Sequence, residues 1–299
     1  MKQINNPLVC VLMPVYNGQT TIKLALDSLL IQSYKNWICV IVNDGSTDNT
    51  PEILKSYIKK DKRFIIVNLE KNKGRGNARQ IALENATGDL LTYLDADDFF
   101  HPDKIKNQVQ IMINHPDIYL VSCGLGSFDA NYTLKVVRGF KFSGSFHFLF
   151  KDKPKFIPVT SMLRLKEAQM VKYNSKLDGP EDTDYLTRYV ADRKYYILND
   201  LLYYYREFDT LSYHKVIYYT LNNLKRATFM FTINKMFSVK FFLIESCRLL
   251  AYILFYPLIG KKNLVNRRGK PASNDQKKEF ILNCEKLAAV IKIKNHDIL

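Results

Sequence analysis

Residues 90–98, Leu90-Leu91-Thr92-Tyr93-Leu94-Asp95-Ala96-Asp97-Asp98, run from an unbroken apolar segment straight into three carboxylates. The apolar part has the length of a strand and no polar alternation, as a strand buried on both faces requires. Toward the N-terminus the same kind of run recurs at Phe64 to Val67, Trp37 to Val42 and Leu8 to Met13. Between these runs lie three helical patterns: residues 75 to 86, a segment opening at Thr50-Pro51, and Thr20 to Ile31. At Thr50-Pro51 the spacing predicts Thr50 as N-cap and Pro51 as the first helical residue. Short apolar runs alternating with amphipathic helices specify an α/β, Rossmann-like half, and in such sheets ligands bind beyond the carboxyl ends of the strands.

Each of those four ends carries polar or turn-forming residues. They are Met13-Pro14-Val15-Tyr16-Asn17-Gly18, Asn43-Asp44-Gly45-Ser46-Thr47-Asp48, Asn72 to Arg79, and Asp95-Ala96-Asp97-Asp98. In an extended segment Asp95 and Asp97 point the same way, and crowded carboxylates repel unless solvated or neutralised by a cation. Two hard oxygen ligands on one side suit Mn²⁺ or Mg²⁺, which bind through one or two carboxylates plus substrate phosphates. The competing reading is an acidic helix start with Asp97 or Asp98 as cap before Pro102. Asn43 to Ser46 reads either as a plain turn or as a loop whose Asp44 accepts a hydrogen bond from a base N–H. Arg75 and Arg79 read either as offsets to diphosphate charge or as solvated helix arginines. Gly179-Pro180-Glu181-Asp182-Thr183-Asp184 precedes an apolar helix, so its acids either complement the helix dipole or include a general base. A helix N-terminus stabilises a carboxylate's charged form, so a base there needs burial or a neighbouring acid, such as Glu181 or Asp184, to offset it.

Beyond about residue 117 the pattern becomes mixed. Strands are expected at Tyr119 to Cys123, Val159 to Arg164 and Tyr195 to Leu198, with a helix over Glu181 to Val190. At 299 residues, 47% apolar and 24% charged, the chain is globular in composition and long enough for more than one unit. The division expected is a catalytic unit over 1–211, with halves at 1–117 and 118–211, followed by a helical, basic extension over 212–299. The net charge of +15 is concentrated late: from residue 201 onward there are 17 Lys and Arg against 7 Asp and Glu. Five scattered cysteines without a CxxC pair read as reduced thiols rather than a disulfide framework or zinc site. The N-terminal residues lack the pattern of a signal peptide. Residues 241–259 are the one membrane-spanning candidate, but Glu245, Arg248 and Pro257 argue against a span. They read equally as an interfacial helix flanked by Lys240, Lys261, Lys262, Arg267 and Arg268, or as a helix packed on the catalytic unit.

Taken in order, Val11 to Gly18, Gln32-Ser33-Tyr34, Asn43 to Asp48, Gly74 to Arg79, Asp95-Ala96-Asp97-Asp98 and Glu181-Asp182 resemble the family 2 glycosyltransferases of GT-A fold, bacterial O-antigen or capsule type. The likeness spans residues 8 to about 210, including Leu201 to Arg206, which is similar to the family's closing Tyr-Arg element. It implies a nucleotide-sugar-binding unit with a mixed central sheet, UDP-sugar donors, Mn²⁺ or Mg²⁺, and inversion at the anomeric carbon. Carried over by position, Pro14, Tyr16 and Asp44 hold the nucleoside, Asp95, Ala96 and Asp97 the nucleotide and metal, with Asp95 and Asp97 as ligands, and Asp182 is the base. Asn43 departs from the family, which often has a second Asp there.

The expected reaction moves a hexose, glucose or galactose, from a UDP-sugar to a hydroxyl of a polyprenyl-diphosphate-linked sugar such as GlcNAc-diphospho-undecaprenol. The expected partners are that lipid-linked acceptor and an anionic membrane surface, on the cytoplasmic face of a bacterial inner membrane. A UDP-GlcNAc or UDP-GalNAc donor, or another acceptor, is the alternative. Nucleic acid is suggested by charge alone and would leave the strand-end motifs without a purpose.

Overall fold

The computed structural model describes residues 5–140, 142–149, 154–207, 212–231, 234–259 and 269–296, with the side chains of 256–259 and 290–296 excepted. Its centre is β1 (Val9–Val15), parallel to β2 (Trp37–Asn43) on one side and β4 (Leu90–Tyr93) on the other. Outside β2 lies β3 (Phe64–Asn68), also parallel. Successive β1 residues face opposite ways: Val9, Val11 and Met13 pack in one buried cluster, Cys10 and Leu12 in another. That is why the run is continuously apolar. Helices α1 (Ile22–Leu30), α2 (Thr50–Lys60) and α3 (Arg75–Glu84) follow the first three strands.

Past β4 the sheet changes direction. Within the chain come β5 (Phe99–Phe100), α4 (Lys104–Asn114), β6 (Ile118–Phe128), β7 (Leu134–Arg138), β8 (Gly144–His147), β9 (Met162–Arg164), α5 (Leu165–Ala168), α6 (Glu181–Tyr189) and β10 (Lys194–Arg206). β9 runs antiparallel to both β4 and β6, and β10 lies parallel to β6 while pairing antiparallel with β5 and β8. The sheet is therefore mixed, as expected of the GT-A fold.

Local expectations are corrected in three places. The N-cap position of α2 is Asn49, and Thr50 instead accepts from the Gly18 N–H and donates to Asp48. Residues 158–160 form a 3₁₀ turn, which shortens the strand expected over 159–164 to β9. Finally, the strand expected at 195–198 and the Leu201 to Arg206 element are one strand, interrupted by register shifts.

The segment after 212 contains α7 (Tyr213–Met230), α8 (Lys235–Ile259), β11 (Lys270–Pro271) and α9 (Asn274–His296). It makes contact with the central sheet. β11 extends the sheet beyond β7, and Phe280 of α9 packs against Phe99, Phe128 and Tyr204 at 5.0–5.7 Å between ring centroids. Among the described residues no helix is long and apolar enough to cross a membrane. Lys261, Lys262, Arg267 and Arg268 lie outside the described residues.

Candidate active site

The carboxyl ends of β1, β2 and β4, the loop before α3, the end of β10 and the start of α7 enclose a cleft of about 640 Å³. That size falls within the ordinary range for a small-molecule ligand. Hydrogen bonds between the β1 and β2 loops build one wall. Asn17 (φ 52) accepts from the Thr47 N–H at 2.8 Å, its own N–H donates to Ser46 Oγ at 3.0 Å, and Gln19 N–H donates to Asp48 Oδ2 at 3.0 Å. The polar residues of 43–50 thus tie the β2 loop to the β1 loop. Asn43 accepts from the Ser46 N–H and donates to Asn68, both local structural bonds. Gly45 has φ 69, and a Cβ there would lie 2.5 Å from the Lys71 carbonyl carbon, so only glycine closes this turn.

Pro14, Tyr16, Asp44, Arg75, Asp95, Ala96 and Asp97, all singled out above, line this cleft. Asp44 is buried and accepts from the backbone N–H groups of Lys73 and Gly74 at 2.7 and 3.1 Å. It therefore fixes the loop leading into α3, and only its remaining lone pairs are available to a base N–H.

The acidic motif is no helix cap, because β5 intervenes and α4 begins after Asp103. Its three carboxylates have different work. Asp98 is fully buried, accepts from Tyr203 Oη at 2.8 Å and from the Arg206 N–H at 2.8 Å, and so clamps the end of β4 to β10. Burial, with Asp97 and Asp95 close by, pushes its carboxyl well above the usual range. Asp97 is pushed up to about 6, first by desolvation and then by the Asp95 charge. Asp95 accepts at Oδ1 from Arg79 Nη2, at 2.9 Å. A pair held in mutual repulsion at a cleft wall fits a divalent cation, which would relieve that repulsion. Among the described residues no group of three or more His, Cys, Asp or Glu is placed to hold a metal, so such an ion would have to complete its shell from substrate oxygens.

Arg79 is where expectation and structure part most clearly. It is buried rather than facing the cleft, with Nη1 at 2.7 Å from Glu181 Oε1 and 4.0 Å from Asp182 Oδ2, and Nη2 on Asp95. A guanidinium occupied by three carboxylates is not a diphosphate clamp. It is the bracket joining the acidic motif after β4 to the acids opening α6. Arg75 does line the cleft, 3.8 Å from Glu181 and with Nη2 donating to Tyr219 Oη at 3.4 Å. Glu181 is fully buried, accepts from the Gly179 N–H at 2.6 Å, and has its carboxyl raised by burial, against the opposing pull of Arg79. Asp182 is partly exposed and accepts from both the N–H and the hydroxyl of Thr183. Asp184, a candidate neighbour for a base, is instead neutralised by Arg188 at 2.7 Å and approached by Arg226 of α7 at 3.9 Å.

Sequence reading did not reach Asp178, Lys215 and Tyr219, which also line the cleft together with Tyr205 and Arg206. Tyr218 of α7 donates to Asp178 at 2.7 Å. No linear pattern announces that a helix more than a hundred residues downstream contributes to this cleft.

The family model for glycosyl transferase family 2 matches residues 10–167, more than half of the chain. The chain belongs to this family. Among curated relatives, the putative teichuronic acid biosynthesis glycosyltransferase TuaG of Bacillus subtilis is 43% identical over 107 residues, 36% of this chain and 42% of that protein. The chain thus matches less than half the length of that relative. Among solved structures, Staphylococcus aureus TarS 1–349 superposes with a TM-score of 0.65 at 19% identity, covering 94% of this chain and 82% of that one. TarS 1–349 has also been solved with UDP and with UDP-GlcNAc. The mannosyltransferase PcManGT of Pyrobaculum calidifontis, in complex with GDP-Man and Mn²⁺, has a TM-score of 0.60 at 14% identity, covering 97% and 88%. These likenesses establish the GT-A fold for this family 2 glycosyltransferase.

Proposed function

We propose that this glycosyltransferase moves a hexose, glucose or galactose, from a UDP-sugar to a hydroxyl of a polyprenyl-diphosphate-linked sugar in cell-surface polysaccharide assembly. The observation that carries the reading is the convergence of Tyr16, Asp44, Arg75, Asp95 and Asp97 on one cleft, with Glu181 and Asp182 bound to the same Arg79 as Asp95. Tyr16 and Asp44 hold the nucleoside, and Arg75 faces the diphosphate. Asp95 and Asp97 would hold Mn²⁺ or Mg²⁺, which when bound neutralises charge on the departing diphosphate. Asp182 takes the proton from the acceptor hydroxyl as that oxygen attacks the anomeric carbon from the side opposite UDP, inverting it. Glu181, buried beside Asp182, keeps the base in register through Arg79 rather than exchanging protons with substrate.

The likeness to TuaG, a putative teichuronic acid biosynthesis glycosyltransferase, supports the surface-polysaccharide setting. We place the protein on the cytoplasmic face of the membrane, and attachment to an anionic surface is supported by α8. Its polar Ser238 and Glu245 are buried, whereas Met236, Leu243 and Leu254 are 59–84% exposed with Lys235 and Lys240 alongside. A UDP-GlcNAc or UDP-GalNAc donor is the second reading, favoured by the TarS complex with UDP-GlcNAc. Purified protein incubated with UDP-glucose or UDP-galactose, Mn²⁺ and a lipid-diphosphate-GlcNAc analogue should release UDP and elongate the acceptor. Asp182→Asn should lower kcat by about 2 to 4 kcal/mol of transition-state stabilisation. No transfer from any UDP-sugar would refute the assignment.

A further inference from the structure

The wall of the nucleotide cleft does not end at α7. Lys215 lines that cleft and also opens a second depression of about 680 Å³, whose floor is Ile217, Tyr218 and Leu221 of α7 with Ile253 of α8. Leu221 and Ile253 are 43% and 47% exposed, and beyond them the outward face of α8 continues through the exposed Leu250 and Leu254. The helix is inside out for a protein surrounded by water. Glu245 is buried, accepting from Asn223 of α7 at 3.2 Å and paired with Arg248, while Leu243, Ile244, Leu250, Ile253 and Leu254 are exposed. A contiguous apolar face of this kind marks a binding surface.

The ends of the depression define what occupies it. One end carries the Lys215 ammonium, with the exposed His214 beside it, where the depression meets the cleft proposed to hold the donor diphosphate. The other end opens onto bare hydrocarbon. Complementarity calls for a ligand with an anionic head and an apolar tail, lying along α7 toward α8. We propose that the α7–α8 groove holds the hydrocarbon chain of a phosphate-linked lipid acceptor, with Lys215 against its phosphate, so that the acceptor sugar reaches Asp182. This rests on the lipid-linked acceptor named above.

The full chain is irradiated with a photoreactive farnesyl phosphate below its critical micelle concentration, and the labelled peptides are mapped by mass spectrometry. This probe reads the groove without requiring turnover. Label should fall on the peptides carrying Leu221 and Ile253. The double variant Leu221→Gln/Ile253→Gln, which alters only solvent-facing positions, should lose about tenfold or more of the labelling. Lys215→Gln should abolish the preference for farnesyl phosphate over farnesol. Transfer from UDP-glucose or UDP-galactose to the lipid-diphosphate-GlcNAc analogue, measured on the wild-type chain, reports the proposed transferase reading separately. Label that is scattered over α8 and insensitive to the double variant would overturn the groove in favour of a general bilayer contact. A concentration-dependent dimer dissociated by Ile253→Gln would overturn it in favour of a second copy of this chain. Specific labelling with no transfer from any UDP-sugar would leave the groove standing and sink the proposed hexose-transfer reading instead.

Discussion

Arg79→Met tests the bracket directly. The guanidinium is buried and makes charge-assisted bonds of 2.7 Å to the fully buried Glu181 and 2.9 Å to Asp95, whose side chain is 22% exposed. Removing one partner of a buried ion pair costs about 3–5 kcal/mol, and here the Glu181 charge keeps only the half-exposed Arg75 at 3.8 Å and the Gly179 N–H. Losing the more exposed Asp95 contact adds about 1 kcal/mol at most. Against these, the Arg79 Nε is itself buried without a hydrogen-bond partner, so its removal returns about 1 kcal/mol. The net expectation is a loss of about 2–5 kcal/mol by urea denaturation near neutral pH. The loss depends on pH in a definite direction. Burial already raises the Glu181 carboxyl and Arg79 opposes that rise, so the variant raises it further. A carboxyl raised in the folded state binds a proton more readily than in the unfolded chain. Stability then falls as pH rises through the window between the unfolded and folded values and levels off above it. The penalty should therefore be largest at about pH 8 and shrink toward about pH 5, and Glu181→Gln placed on top of Arg79→Met should recover much of it. A loss under about 1 kcal/mol, or one indifferent to pH and to Glu181→Gln, would refute the bracket.

Three further outcomes follow from the geometry. Asp97→Asn should abolish transfer yet raise stability by about 1–2 kcal/mol at about pH 8, because Asp97 titrates at about 6 under desolvation and the Asp95 charge. That gain should fade as pH falls through about 6 toward the ordinary value of 3.8, and thermal melts of both proteins read it. Lys104 is fully buried, bonded to Thr92 and Gln108 at 2.8 Å each, and pushed down to about 8 by burial. The unfolded chain then binds more protons above about 8, so wild-type stability should rise from about pH 8 to about pH 9.5, and Lys104→Met should flatten that rise in urea melts. Gly179 has φ 108, and a Cβ there would sit 2.1 Å from the Tyr219 ring. Gly179→Ala should displace α7, raise the KM for donor several-fold and cost about 1–3 kcal/mol of stability.

Sequence alone determined the parallel half of the sheet, because strands buried on both faces must be continuously apolar and the helices covering them must carry a periodic stripe. It also placed Tyr16, Asp44, Arg75, Asp95 and Asp97 at strand ends, and topology alone brings such ends to one crevice. What it left open were choices between equal chemistries. Asp95, Asp97 and Asp98 are the same residue type within four positions, and only the approach of Tyr203 and the Arg206 N–H makes Asp98 a buried clamp. Arg79 looks in the sequence like Arg75, one helical turn away. Burial against Glu181 converts one into a bracket and leaves the other at the cleft. The long-range partners, Tyr219 over Gly179 and Phe280 against Phe99, were decided only by tertiary structure, because packing between distant segments leaves no periodic trace in either one.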